Sequence, residues 1–180
     1  MIESVISQLI EFVGQHRDWA MWLAFVFAAA ETTAILSILI PSTAILVGVG
    51  ALVAAGGLDF RPIWIGASLG ALTGSSFSWW LGWRYGDKIL QMWPLRDHPE
   101  FVARGQVSFA KYGGFAIIIG HFVGPLRPVM FLMTGMSAMP FWRFAMFNIV
   151  GGTAWAYAIP KSGQIGGTVL GALWALITGA

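Results

Sequence analysis

Charge along this 180-residue chain is confined to a few places, and that confinement decides most of what the chain can fold into. There are ten Lys/Arg and eight Asp/Glu residues. Four of these (Glu3, Glu11, Arg17 and Asp18) lie within residues 1–18. Eight (Arg84, Asp87, Lys88, Arg96, Asp97, Glu100, Arg104 and Lys111) lie within 84–111. The rest, Glu31, Asp59, Arg61, Arg127, Arg143 and Lys161, are scattered. Two apolar blocks, about 19–83 and 112–180, therefore flank one polar segment. An average soluble domain is about 25% charged, whereas this chain is 10% charged and 57% hydrophobic, with ten Trp and twenty-three Gly. Trp and Gly at that frequency fit membrane helices and their interfaces, so the chain reads as an integral membrane protein. A net charge of +2 is too small for a nucleic-acid binder. With no cysteine there is no disulfide or thiolate chemistry. The first residues carry Glu3 and Glu11 ahead of Arg17, unlike the basic start of a signal peptide.

The expected fold class is all-α: a polytopic integral membrane protein with two inverted-topology re-entrant helical hairpins plus spanning helices, forming one domain over residues 1–180. Residues 1–18 suit an interfacial helix. Residues 19–56 hold a run of spanning length with Glu31 inside it, then Pro41-Ser42 and a second run too short to cross. This predicts a hairpin that dips into the membrane and turns near Pro41-Ser42-Thr43; broken backbone at that depth must be surrounded by protein or a wet cavity. Residues 62–83 predict a spanning helix with Gly66, Gly70, Gly74, Ser78 and Gly82 on one face, a stripe that lets another helix approach closely. The polar 84–111 segment predicts an amphipathic linker on the cytoplasmic side; recruitment of anionic headgroups is the sharper alternative. Residues 112–139 repeat the first plan, broken at Gly124-Pro125-Leu126-Arg127-Pro128. Residues 141–159 and 162–179 are expected as two more spanning helices. Two broken segments in corresponding places mark a transporter-like substrate site near the bilayer midplane.

A few residues can carry chemistry. Glu31 is a carboxylate in an apolar run, and such residues mark ion or substrate paths unless they are paired or protonated. Arg127 cannot shed its charge; it needs Glu31 or a bidentate phosphate as its anion, unless it snorkels to the interface. His121 can relay protons or serve as a structural donor. Asn148 can hydrogen-bond across helices or to substrate. Arg143 reads as an interfacial anchor or phosphate contact, and Ser42 with Thr43 can present hydroxyls and N–H groups to an anion. No phosphate-binding Walker loop, nucleophile elbow, zinc-protease motif or metal-ligating carboxylate cluster occurs, so neither an enzyme nor a cofactor is expected.

The stretch from Glu31 through Pro41-Ser42 to Gly48, and the longer one Phe115-(x)5-His121-Phe122-Val123-Gly124-Pro125-Leu126-Arg127-Pro128, with Gly135-Met136-(x)2-Met139-Pro140-(x)3-Phe144-(x)3-Asn148-(x)6-Trp155, resemble the DedA family, also called the SNARE-associated or VTT-domain superfamily. The resemblance covers about residues 20–160 and is most specific in the second stretch. It implies a multi-pass bacterial inner-membrane protein with two inverted re-entrant hairpins. It also implies recycling of undecaprenyl phosphate, dependence on the proton motive force and support of envelope homeostasis. Glu31 matches the family's first-hairpin Glu and Arg127 its second-hairpin Arg. The chain departs from the pattern at Ser42-Thr43 and Ser75, where acids are usual, and at His121, where an Arg is usual. Glu31 and His121 are the groups left for proton coupling.

The expected function is therefore movement of a lipid phosphate between leaflets. The partners are a polyprenyl phosphate or anionic phospholipid and, for the small-residue faces, a possible second copy of the chain. Arg127, Glu31, Ser42, Thr43, Arg143 and Asn148 are the expected substrate-binding residues. A non-selective phospholipid scramblase, a partner-binding membrane subunit and an ion or small-solute transporter are the alternatives.

Overall fold

The computed structural model describes residues 19–33, 42–55, 58–92, 95–124, 127–137 and 139–178. Seven α-helices account for most of them. They are α1 (Ala20–Thr32), α2 (Ser42–Ala54), α3 (Phe60–Tyr85), α4 (Pro99–Tyr112), α5 (Phe115–Gly120), α6 (Arg127–Met136) and α7 (Phe141–Thr178). Short 3-10 turns, Gly86–Gln91 and Leu95–Asp97, link α3 to α4. Punctuation is local. Gly86 and Gly113 take φ of 52° and 54° just past α3 and α4, a backbone setting that glycine reaches without steric cost. Pro99 opens α4 and Pro128 falls in the first turn of α6, where a missing N–H costs nothing.

Glycine decides which helices meet. A Cβ on Gly66, Gly70 or Gly74 of α3 would collide with the carbonyl oxygens of Met21, Phe25 and Ala29 in turn. So α1 lies against α3 backbone to backbone over two turns, running in the same direction. In the second half, Gly114 abuts the Phe147 ring and Gly151 abuts Ile118, so α5 runs alongside α7 in the same direction. The two long helices run oppositely: Phe60 meets Tyr157, Leu72 meets Gly152 and Ser75 meets Asn148. Each half thus repeats one plan, a short helix laid parallel on a long one, and the halves point opposite ways. The second short helices cross over, with α2 packed on α7 and α6 on α3.

Three buried clusters result. Ala20, Ala24, Ala28, Ile45, Leu46, Val49, Ile63, Ala67 and Trp155 join α1, α2, α3 and α7. Leu81, Ile89, Val129, Leu132 and Met133 form a second cluster, and Ile117, Phe131 and Phe144 a third. Outward faces are also apolar: Trp22, Val26, Ile65, Leu69, Phe77, Trp80, Met146, Ile149 and Val150 are exposed. A large exposed apolar surface marks contact with lipid or protein.

Two expectations change. The helices expected at 141–159 and 162–179 are one 38-residue helix that carries Pro160 in its interior. Pro160 removes one backbone hydrogen bond there, yet α2 packs on it directly, with Gly50 against the Pro160 carbonyl and Gly163 against that of Val47. Among the described residues no helix is both long and apolar enough to cross a membrane. For α3 the reason is composition: its 26 residues spend their inner face on Gly, Ala and Ser rather than on aliphatics. The 84–111 segment holds the two 3-10 turns and most of amphipathic α4. The interfacial helix expected at 1–18, the turn at Pro41 and the side chains of Ser42 and Thr43 lie outside the described residues.

Gly70→Ala should lower the thermal unfolding midpoint of the detergent-solubilised protein, because overpacking costs about 1–3 kcal/mol. Gly166, with nothing within 4 Å of a built Cβ, should instead gain about 0.5–1 kcal/mol as Ala. Equal midpoints for the two variants would contradict the packing described.

Candidate functional site

Arg127 is the first residue of α6 and is 1% exposed; Glu31, in the last turn of α1, is 6% exposed. The two come from different halves of the chain and meet with Nη1 of Arg127 2.9 Å from Oε1 of Glu31. Beyond this ion pair, Nη1 and Nε have no hydrogen-bond acceptor among the described residues. The guanidinium lies over the buried Trp155 ring from α7, 4.3 Å from its centroid. A cation on an aromatic face is worth about 2 kcal/mol or more when desolvated. Charge this deep stays compensated only by geometry, because desolvation costs several kcal/mol per ion. Three helices therefore converge on one guanidinium: α1 brings a carboxylate, α7 an indole, and α6 the cation at its own N-terminus.

Next to Glu31, the Thr32 hydroxyl donates to Ala28 O at 2.8 Å, and the Thr32 carbonyl accepts from Ser78 Oγ of α3, also at 2.8 Å. That bond ties the end of α1 to α3 where the glycine contacts finish. One turn earlier on α3, the buried Ser75 hydroxyl reaches Ala71 O at 2.6 Å and Asn148 Oδ1 at 2.8 Å, donating to one at a time. Asn148 Oδ1 also accepts from His121 Nε2 at 2.9 Å. With the Asn148 carbonyl facing the ring, His121 carries its proton on Nε2, and Nδ1 has no partner among the described residues. Phe131 packs on the imidazole at 4.8 Å between centroids, and Gly151 leaves room for its edge. This second cluster is neutral and pins α3, α5 and α7 to one another.

The structure thus divides the expected site residues. Glu31 and Arg127 are in contact. His121 and Asn148 are together, but in the neutral cluster with Ser75. Arg143 is exposed near the start of α7, twelve residues before Trp155 and so about 18 Å along the helix axis; it joins neither group. Ser42 begins α2, and its side chain and that of Thr43 are outside the described residues. Sequence reasoning missed Trp155, Ser75 and Ser78. Trp155 had a readable signal, since Asn148 and Trp155 are seven residues apart and hence on one helix face. Among the described residues no group of His, Asp and Glu is placed to hold a metal.

Removing one member of a buried ion pair leaves the other uncompensated, at about 3–5 kcal/mol. Glu31→Gln and Arg127→Met should each destabilise the protein by that order, and the double variant by clearly less than their sum. Additive losses in a denaturation cycle would mean the pair is not coupled. Asn148→Ala should cost about 1–3 kcal/mol by leaving buried polar groups without a partner, read by the same unfolding assay.

Comparison with known proteins matches residues 40–164 to the VTT domain. Inner membrane protein YabI of Escherichia coli is 31% identical over 148 residues, covering 82% of this chain and 58% of that protein. Inner membrane protein YghB, also of Escherichia coli, is 26% identical over 174 residues, covering 89% and 78%. An uncharacterized membrane protein of Mycobacterium tuberculosis is 32% identical over 127 residues, covering 67% and 58%. The chain spans somewhat less than three fifths of YabI. No solved structure matches.

Proposed function

The chain belongs to the VTT-domain family, also called DedA, and from that premise we propose that this bacterial membrane protein moves a lipid phosphate, of the undecaprenyl phosphate class, between leaflets of the inner membrane. The observation that carries the reading is the state of Arg127. Among the described residues it is a buried, permanently charged fork with two nitrogens that have no acceptor beyond the Glu31 ion pair, held on an indole and faced by one carboxylate. Guanidinium matches phosphate oxygens bidentately. A phosphate monoester arriving at Arg127 would give those N–H groups the acceptors that Glu31 does not.

Glu31 is then the competitor. While ionised it compensates Arg127; once protonated it releases the cation to the headgroup. Exchange between the two anions links lipid binding to a proton without either state leaving Arg127 bare. In this reading the opposed halves are inverted repeats in the membrane, α1–α2 and α5–α6 are the re-entrant hairpins, and the exposed aromatic and aliphatic faces contact lipid. The prenyl tail stays in hydrocarbon while the headgroup passes Arg127. Ser42 and Thr43 would meet the phosphate from the other hairpin, and His121 would serve as a second proton-carrying group.

The test is translocation of a fluorescent polyprenyl phosphate in proteoliposomes, beside a phosphatidylcholine control, with and without a pH gradient. Selective flux that responds to the gradient is expected. Arg127→Ala should remove at least nine tenths of it in protein that still elutes as a folded species, and Arg127→Lys should recover little, since an ammonium lacks the planar fork. Glu31→Gln should leave residual flux indifferent to the gradient. Equal passage of both lipids would identify a scramblase instead, and no passage of either would favour a partner-binding subunit.

A further inference from the structure

Trp155 is 1% exposed and shares a buried cluster with Ala24, Ala28 and Leu46, where its plainest role is to fill space. Two features set it apart from a filler. The face of its ring carries the Arg127 guanidinium, with Cζ 4.3 Å from the centroid. The stretch of α7 that bears it is also braced against α3 on both sides of position 155. Two residues before, the Thr153 carbonyl accepts from Trp64 Nε1 at 3.2 Å. Two residues after, the Tyr157 ring meets those of Phe60 and Trp64 edge-on, at 5.3 and 6.0 Å between centroids. Seven residues before, Asn148 is bonded to both Ser75 and His121. The indole is thus a fixed surface, and the cation rests on it.

Glu31 and Trp155 act on different parts of the guanidinium. The carboxylate engages Nη1, and beyond that ion pair neither Nη1 nor Nε has an acceptor among the described residues. The indole attracts the charge through its ring quadrupole and consumes no N–H donor. Ring and anion therefore do not compete. An oxygen ligand can occupy the donors while the ring keeps its hold, and the covered face is closed to any other ligand. A long cationic side chain left without such a hold has other places to go, since its stem is flexible. Only the fraction that stands in the binding geometry contributes to affinity. A leucine at position 155 would also fill space, but it would offer the cation no negative face.

We propose that Trp155 is the positioning residue of this site, holding the Arg127 guanidinium in one place whichever anion occupies its donors. Trp155 acts on a phosphate only through Arg127 and does not touch it. Its contribution is preorganisation, because a cation already in place does not have to be ordered when the anion arrives. The inference rests on the reading of Arg127 as the headgroup station, and adds which residue sets the affinity of that station.

The test changes the electronics of the ring and keeps its shape. Because the chain has ten Trp, fluorinated tryptophans are placed at position 155 alone, by nonsense suppression. Successive ring fluorines drain the negative face while the indole still fills its place. Along the series from native to tetrafluoro, the KM for fluorescent polyprenyl phosphate in proteoliposomes should rise stepwise, by about threefold or more at the end. The limiting rate should stay within about twofold of native. A ring that only fills space would leave KM level, and one that only screens charge would lower it, since the cation would then seek its anion harder. Either result overturns the proposal. If the native protein moves no polyprenyl phosphate, the transport reading fails, and Trp155 is judged by the thermal unfolding midpoint in detergent. That midpoint should fall stepwise along the series in the native background and stay level in Arg127→Met. Parallel trends in the two backgrounds, or no trend in either, would overturn the hold of Trp155 on Arg127.

Discussion

A guanidinium that cannot discharge, placed where water does not reach, obliges the rest of the molecule to come to it. Arg127 is in the second half of the chain, and its described counter-charge, Glu31, is in the first. Neither half can bury its charged residue alone at tolerable cost, since desolvation takes several kcal/mol per ion before any attraction is recovered. Docking of the halves and compensation of the charge are therefore one event. Trp155 strengthens the link, because the helix that supplies the indole also carries the α2 crossing.

The same obligation explains the composition. For Glu31 to reach Arg127, α1 must lie within backbone contact of α3, and that requires glycine where larger residues would hold the helices apart. The inner face of α3 is thus surrendered to Gly, Ala and Ser, and hydropathy averaged along it falls. Apolar bulk appears on the outside instead, as Ile65, Leu69, Phe77 and Trp80 on α3 and Met146, Ile149 and Val150 on α7. A water-soluble fold of this size would reverse that distribution.

How much of this was legible in the sequence depended on whether a feature was local. The helix-facing role of Gly66, Gly70 and Gly74 was readable because four-residue spacing is a property of one helix. The turns expected at Pro41 and Pro125 rest on the same local logic, since proline acts on its own backbone, and lie outside the described residues. The continuity of α7 was not readable. Pro160 ends a helix by local rules, and it is overridden by packing from α2, a segment more than a hundred residues earlier. The pairing of Asn148 with Ser75 and His121 was hidden for the same reason, as three residues with separate readings acquire one role only when three helices meet. Arg143 and Arg127 look alike in sequence, each close to a proline, yet burial separates them completely.

The contrast between the two polar clusters is itself informative. Both are buried and both join helices from different parts of the chain, but one is charged and the other is neutral. Ser75, Asn148 and His121 hold α3, α5 and α7 by short hydrogen bonds, with Phe131 and Gly151 packed against the imidazole. A neutral network of this kind rigidifies whatever it joins. The Glu31–Arg127 contact is an ion pair between the two halves, and Arg127 opens a helix whose Val129, Leu132 and Met133 are buried in one cluster with Leu81 of α3. Hydrogen-bonded bracing is thus concentrated where the long helices meet, and the charge is enclosed beside it. If Arg127 exchanges Glu31 for a phosphate as proposed, that braced frame is what would keep the cation from water while it changes partners.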